Sequence, residues 1–429
     1  MQEGPANGSE ATQQASSSTG VGVSQEASSS SSSSAAPTNR SGKRVQVVGA
    51  PPPGPPIPRD GAESDHDDNE DARSDAGSID SDAPPSKPSA HPATAPPSSS
   101  DDDLEALVSD LTLEDEDLDL SHLSLKTRDL RQLNLPRFAK HLKRLVLRQN
   151  LITKIGASDV GALEKLEDLD LYDNSLEKTY GDVLTAGCPN LKSLDVSFNA
   201  LRHASNLSPL AKLTHLYLVQ NKIARVRPGD FVAPLSHSLV SLELGGNRLR
   251  KIEGLEEVTG LEELWLGKNK IERIEGLEGM KKLRVLSIQS NRITTLAGLE
   301  ELGGSLEELY ISHNGLRSLA GLAHLPKLRV LDIAGNLLTS LRSDSPPPPP
   351  LGPGLETPLV HLEEFWANDN QLAPGPATLR DLEALLGPSA CPQLDTVYLE
   401  GNPFTRAEGS AYRRKVQLAL PQVKQIDAT

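Results

Sequence analysis

The sequence predicts an α/β solenoid, in which short parallel strands stack side by side. The motif Leu-x-x-Leu-x-Leu-x-x-Asn runs from Leu261 to Asn269 and recurs along the chain, with its asparagines mostly 22–26 residues apart. This consensus at a period of roughly 20–29 residues is typical of leucine-rich repeats. One repeat cannot bury its own leucines, so the copies must stack on one another. We therefore predict a leucine-rich-repeat horseshoe of about twelve strands.

Each position of the motif has a physical role. Leu264 and Leu266 are two residues apart, so both side chains face the core from one strand. Asn269 follows the strand, where its amide can pair backbone groups of the turn. The convex side of each repeat is short, which predicts 3₁₀ turns or short helices. Eleven asparagines share this register: Asn150, Asn174, Asn199, Asn221, Asn247, Asn269, Asn291, Asn314, Asn336, Asn370 and Asn402.

The composition divides the chain into four segments. Residues 1–103 form a Ser/Pro-rich acidic tail, which we expect to be disordered because it has too few apolar residues to offset its ordering entropy. Residues 104–141 contain a lead-in and a degenerate repeat, and residues 142–402 contain the eleven full repeats with an insertion at 343–358. A helix is predicted near residues 379–386. Residues 403–429 form a C-terminal cap, with Tyr412, Val416 and Leu420 on one helix face.

Charge, apolar segments and cysteine content argue against a nucleic-acid binder, a membrane protein and a disulfide-bonded protein. The formal net charge is −16, which disfavours binding to a nucleic-acid backbone. The N-terminus has no apolar run and no stretch approaches the roughly 20 apolar residues of a membrane span, so neither a signal peptide nor a membrane segment is expected. Cys188 and Cys391 belong to distant repeats and should not form a disulfide, which favours a reducing compartment.

The residue between the two strand leucines points away from the core and forms a column on the concave face. Five of the 13 aromatic residues of the chain occupy this column, and four further positions are acidic. Exposed Trp and Tyr on a curved surface are typical of interface anchors. The alternative is that such residues are simply tolerated at an exposed strand position. The candidate partner-binding residues are Asp195, Tyr217, Glu243, Trp265, Tyr310, Asp332, Trp366 and Tyr398, with Glu364 beside Trp366.

Several stretches resemble one family, the leucine-rich-repeat regulatory subunit 7 family of protein phosphatase 1. They include Asp170–Asn174, Leu266–Ile271, Glu364–Trp366, Val397–Glu400 and the cap from Tyr412 to Thr429. The resemblance implies a non-catalytic subunit without a cofactor, which binds the phosphatase catalytic subunit through the aromatic and acidic column. It further implies control of phosphatase maturation and mitotic dephosphorylation, a nuclear and cytoplasmic location, and a complex with a further phosphatase inhibitor subunit.

Two other functions compete with this one. A leucine-rich-repeat adaptor of a splicing or cytoskeletal complex would share the fold, although a ribonucleoprotein binder needs basic residues beside its aromatics. An enzyme is not expected, because the chain contains no metal-ligand spacing, nucleophile elbow or phosphate-binding loop.

Overall fold

The computed structural model describes residues 111–342 and 354–428. The predicted tail and most of the predicted insertion lie outside these ranges. The described residues form one parallel sheet of thirteen strands, which pair in the order of the sequence. The strands are β1 (Asp117–Asp119), β2 (Arg144–Val146), β3 (Asp168–Asp170), β4 (Ser193–Asp195), β5 (His215–Tyr217), β6 (Ser241–Glu243), β7 (Glu263–Trp265), β8 (Val285–Ser287), β9 (Glu308–Tyr310), β10 (Val330–Asp332), β11 (Glu364–Trp366), β12 (Thr396–Tyr398) and β13 (Gln425–Ile426).

The segments that connect the strands contain short helices, as predicted. The α-helices are α1 (Thr127–Leu133), α2 (Ala157–Val160), α3 (Gly181–Gly187), α4 (Leu235–Ser238), α5 (Pro376–Leu386), α6 (Pro403–Glu408) and α7 (Tyr412–Ala419). Four 3₁₀ helices lie at Leu135–Phe138, Glu300–Leu302, Leu322–His324 and Gly409–Ala411. The solenoid fold is therefore confirmed, including the helix expected near residues 379–386.

The sheet has thirteen strands, where about twelve were predicted. The extra strand is β13, which pairs with β12 and lies in the C-terminal segment. This strand has no Leu-x-Leu pattern, and Asp427 directly follows it. The Asp427 carboxylate accepts hydrogen bonds from the amides of Leu399 (2.8 Å) and Glu400 (3.0 Å), so it pairs turn backbone groups of the last full repeat.

The asparagines pair turn backbone groups of neighbouring repeats. Asn269 Oδ1 accepts a hydrogen bond from the Leu249 amide (3.0 Å), and Nδ2 donates to the carbonyls of Leu244 (3.0 Å) and Leu266 (3.0 Å). The residue before each of the eleven asparagines has positive φ, for example 55° at Lys268. The core leucines and the asparagines together hold every strand in register, which places the third residue of each strand in one row.

Candidate protein-binding face

The strand face turned away from the core carries all nine candidate residues. Each lies on a strand, and the pairing is in register, so that Tyr217 lies beside Glu243 and Glu243 beside Trp265. The candidates are Asp195 on β4, Tyr217 on β5, Glu243 on β6, Trp265 on β7, Tyr310 on β9, Asp332 on β10, Glu364 and Trp366 on β11, and Tyr398 on β12. The fold therefore brings together residues that are up to 203 positions apart in the sequence.

The aromatic side chains form two pairs on this face. Trp265 and Tyr310 stack with ring centroids 6.1 Å apart, although β8 separates their strands. They can approach because the residue between them on β8 is the small Ser287, which the two strands leave only 1% exposed. Trp366 and Tyr398, on neighbouring strands, meet edge to face at 5.2 Å. The rings are half-buried rather than fully exposed, which restricts their motion before any partner binds.

Hydrogen bonds orient three of these rings. Tyr310 Oη donates to Glu308 Oε2 (2.8 Å), and Trp366 Nε1 donates to Glu364 Oε2 (3.0 Å). Gln425 Nε2 donates to Tyr398 Oη (2.7 Å). The candidate set omitted Glu308, although the sequence contained a signal for it.

That signal is a repeated Glu-x-aromatic pattern, in which the glutamate and the ring lie on the same face of one strand. The pattern occurs at Glu308-Leu-Tyr310 and Glu364-Phe-Trp366. It also occurs at Glu263-Leu-Trp265, but there Ser241 Oγ donates to the Glu263 carboxylate (3.2 Å). Within the described residues, the buried Trp265 Nε1 has no hydrogen-bond partner.

The aspartates of the row have a structural role that the sequence interpretation did not assign to them. Asp195 Oδ1 accepts a hydrogen bond from the Ser197 amide (2.9 Å), and Asp332 Oδ1 accepts one from the Ala334 amide (3.0 Å). A short carboxylate at the end of a strand thus stabilises the following turn. Asp332 is 7% exposed and presents little surface, whereas Asp195 is half-buried.

Burial raises the pKa of several acidic side chains from β3 to β6, and neighbouring acids add to this effect at Asp170 and Glu243. Burial, followed by the charges of Asp195 and Glu263, raises the pKa of Glu243 to about 7. Burial also raises the pKa of Asp195 and brings that of Asp170 to about 6. Burial raises the pKa of Tyr217 to about 12, with Glu243 as the next cause. This part of the face would therefore be stabilised by a cationic group from a partner.

One cation of the chain already lies beside this acidic region. Arg148 Nε is 2.9 Å from Asp170 Oδ2, and its Nη2 is 3.6 Å from Asp195 Oδ2. Among residues 111–342 and 354–428, no Lys, Arg or His side chain forms an ion pair with Glu243 within 4.0 Å. Glu243 on β6, beside Trp265, is therefore an acid of this face without a cation of the described residues to compensate it.

The described part of the chain shows neither a candidate metal site nor a candidate membrane span. No group of three or more His, Cys, Asp or Glu side chains there could hold a metal ion. In the same residues, no helix is both long and apolar enough to span a membrane.

Comparisons with known proteins identify the repeats and the relatives of the chain. Family profiles described as leucine-rich repeats match residues 140–201, 259–301 and 305–347. Two solved structures share the fold. One is an internalin from Listeria monocytogenes, with a TM-score of 0.53, 21% identity and coverage of 76% of this chain and 93% of that one. The other is a leucine-rich-repeat protein from Leptospira interrogans, with a TM-score of 0.51, 23% identity and coverage of 72% and 83%.

The similar curated proteins carry phosphatase names. Protein phosphatase 1 regulatory subunit SDS22 of Saccharomyces cerevisiae is 45% identical over 106 residues, which cover 24% of this chain and 29% of the yeast protein. The protein phosphatase 1 regulatory inhibitor subunit PPP1R7 homolog of Arabidopsis thaliana is 38% identical over 128 residues, covering 29% and 37%. Protein phosphatase 1 regulatory subunit 7 of Xenopus tropicalis is 57% identical over 49 residues, covering 11% and 13%.

The aligned segments thus span well under half of each of these relatives. These relatives are nevertheless all named as regulatory subunits of protein phosphatase 1. The repeats that the family profiles match lie in the solenoid. The chain contains leucine-rich repeats, and parts of them are similar to regulatory subunits of protein phosphatase 1.

Proposed function

We propose that this chain is a non-catalytic regulatory subunit that binds the catalytic subunit of protein phosphatase 1 through the strand face. The observation that carries the proposal is the row of paired aromatic rings and uncompensated acids on that face. The partner is suggested by the similar proteins, which are named as regulatory subunits of protein phosphatase 1. Half-buried Trp and Tyr rings are the side chains most often found at the energetic centre of protein interfaces.

The geometry supports different roles for the aromatic and the acidic residues of the row. Trp366 is held by Glu364 and by the edge of Tyr398, so little rotamer entropy remains to be lost when it enters a pocket. The acids around Glu243 would bind basic groups of the phosphatase. A cation near Glu243 would lower its pKa, so binding near neutral pH should release protons.

The proposal extends to what the partner does. By regulating the maturation and activity of the phosphatase, the chain would influence mitotic dephosphorylation in the nucleus and the cytoplasm. A further phosphatase inhibitor subunit would join the complex. The family resemblance is the support for these roles.

The first prediction concerns the two tryptophans. We expect the full chain to bind the purified phosphatase catalytic subunit, and a Trp265→Ala/Trp366→Ala variant to bind it much more weakly. Each hot-spot ring should contribute about 2–4 kcal/mol of binding free energy. Titration calorimetry measures both affinities, and circular dichroism checks that the variant is folded.

A Leu418→Ala variant is the matched control, because Leu418 is an apolar side chain, 73% exposed, on the cap helix α7. It should bind like the wild type. If the wild type does not bind the phosphatase, the regulatory proposal is wrong, and an adaptor function in a splicing or cytoskeletal complex takes its place. Binding that survives loss of both tryptophans would place the interface elsewhere.

A further inference from the structure

A row of cations lies along the edge where the chain turns after each strand. In four consecutive repeats, the residue after the asparagine is exposed and basic, and we call these residues the basic edge: Lys222, Arg248, Lys270 and Arg292. Their backbone amides donate to carbonyls of the preceding repeat at 2.8–2.9 Å, so they occupy equivalent places in the stack. At about 4.8 Å per strand, the four cations span about 14 Å.

The basic edge is not neutralised by ion pairs with other residues that the structure describes. From the repeat of Asn199 to that of Asn291, the two residues before each asparagine and the one after it include no acid. In the described ranges, no carboxylate lies within 4.0 Å of the charged atoms of these four cations. Because the chain as a whole has a net charge of −16, the edge is a local positive region on an acidic protein.

An aromatic side chain lies at one end of this edge. Phe198 is one repeat before Lys222 and immediately precedes Asn199. Its φ is 54°, which is strained for a bulky residue, and it is 42% exposed. The ring contacts Tyr172 at a centroid distance of 4.8 Å, and the Arg148 guanidinium lies 4.3 Å from the centre of the Tyr172 ring. The chain thus keeps a large exposed ring where a small polar residue would fit better.

We infer that the basic edge binds an extended acidic peptide segment of a partner protein, with an apolar residue of that segment packed on Phe198. Carboxylates of an extended strand would face successive cations, and the ring would fix the register of the peptide. A nucleic acid is less suited, because single-stranded binding needs aromatics interleaved with the cations. Here the aromatic pair lies only at one end. The edge is distinct from the strand face, so the inference does not depend on the phosphatase proposal.

The test uses a fluorescein-labelled probe peptide of two leucines followed by six glutamates, measured by fluorescence anisotropy with the full chain. We expect binding that weakens as the salt concentration rises. A Lys222→Glu/Arg248→Glu/Lys270→Glu variant should bind the probe at least about tenfold more weakly. The control is Lys140→Glu/Lys165→Glu/Lys282→Glu, which makes the same change of charge at exposed positions before the strands. This control should bind the probe like the wild type.

A second variant tests the aromatic end. Asparagine tolerates positive φ, so Phe198→Asn should raise the melting temperature. The same variant should weaken binding of the leucine-containing probe about threefold, while leaving a probe without leucines unaffected.

Three outcomes would overturn the inference. The first is no binding of the acidic probe beyond that of a probe with glutamines in place of the glutamates. The second is an equal loss of affinity in the two triple variants, which would mean that net charge alone attracts the probe. The third is tighter binding of a labelled thymidine oligonucleotide than of the acidic peptide.

Discussion

At the scale of single residues, the acidic positions of the strand face are occupied for two different reasons. Asp195 and Asp332 pair the amide two residues further on, so their short carboxylates help to end the strand. Glu243 is too long for this turn and is half-buried, and burial followed by the charges of Asp195 and Glu263 raises its pKa. Its charge therefore costs stability in the isolated chain, as expected for a group placed to meet a partner.

Replacing Glu243 should change the pH dependence of stability. Burial first, then Asp195 and Glu263, raises its pKa from 4.5 to about 7, so the folded state holds this proton more tightly than the unfolded state. The stability from this group is therefore present below pH 4.5 and lost as the pH rises to about 7. Glu243→Gln should increase the free energy of unfolding at pH 8 by about 1–2 kcal/mol, because the side chain is still partly hydrated.

Urea denaturation at pH 4.5 and pH 8 measures this difference, and Glu243→Gln should be nearly neutral at the lower pH. Glu257→Gln, at an exposed position, is the control and should have little effect at either pH. An equal gain at both pH values would show that the charge of Glu243 is not the cause.

Removing one asparagine amide should destabilise the solenoid. Asn269→Ala leaves the Leu249 amide and the carbonyls of Leu244 and Leu266 without their partner. Because these backbone groups are buried, we expect a loss of about 2–4 kcal/mol in the free energy of unfolding. Urea denaturation measures it. Asn368→Ala, which removes a surface hydrogen bond to Asp369, should cost much less. Equal losses of unfolding free energy in the two variants would argue against a stabilising role for the repeat asparagines.

At the scale of elements, three-residue strands have too few backbone hydrogen bonds to fix their own register. The buried leucines on either side of each outward residue do so, because a one-residue slip would expose them. The residues that precede the strands form ion pairs between neighbouring repeats. Examples are Lys143 Nζ with Glu116 (2.8 Å) and Arg284 Nη2 with Glu307 (3.0 Å). These pairs are largely exposed, so each contributes little free energy.

The helix α5 tests how far a longer connecting element contributes to stability. Leu382 lies at its centre and is 0% exposed, and the helix packs against α7 of the cap. Leu382→Ala should reduce the free energy of unfolding by about 2–5 kcal/mol, because it leaves a cavity. Leu418→Ala, the same change at an exposed site, should stay within about 0.5 kcal/mol of the wild type. Similar effects in the two variants would mean that α5 is not part of the cooperative core.

At the scale of the whole repeat array, each repeat contacts only its neighbours, so stability should be distributed locally. The C-terminal cap covers the last repeat with α7, whose Val416 is 0% exposed. We expect Val416→Asp to unfold the array from this end. Hydrogen exchange should show lost amide protection in β11 to β13, while β2 to β4 keep theirs.

The control for this experiment is Arg414→Asp, which introduces the same carboxylate on the exposed side of α7. It should leave the exchange pattern unchanged. A uniform loss of protection across all strands in the Val416→Asp variant would instead show that the array unfolds as one cooperative unit.

The repeating part of this protein is determined by its sequence alone. Because each repeat encodes its strand, core leucines and asparagine within about ten residues, the periodic pattern predicted the solenoid and the outward row. The long helix α5 was predicted for the same reason, since its apolar spacing is local. The cap strand β13 was not, because it lacks the Leu-x-Leu pattern and the hydrogen-bond partners of its neighbour Asp427, Leu399 and Glu400, belong to another repeat.

Only the tertiary structure decided how the outward side chains interact. Trp265 stacks on Tyr310, 45 residues away, because a small serine lies between them on β8. Glu243 acquires its raised pKa from burial and from acids on other strands. These properties depend on distances between residues that are remote in sequence, and such distances exist only after the repeats have stacked.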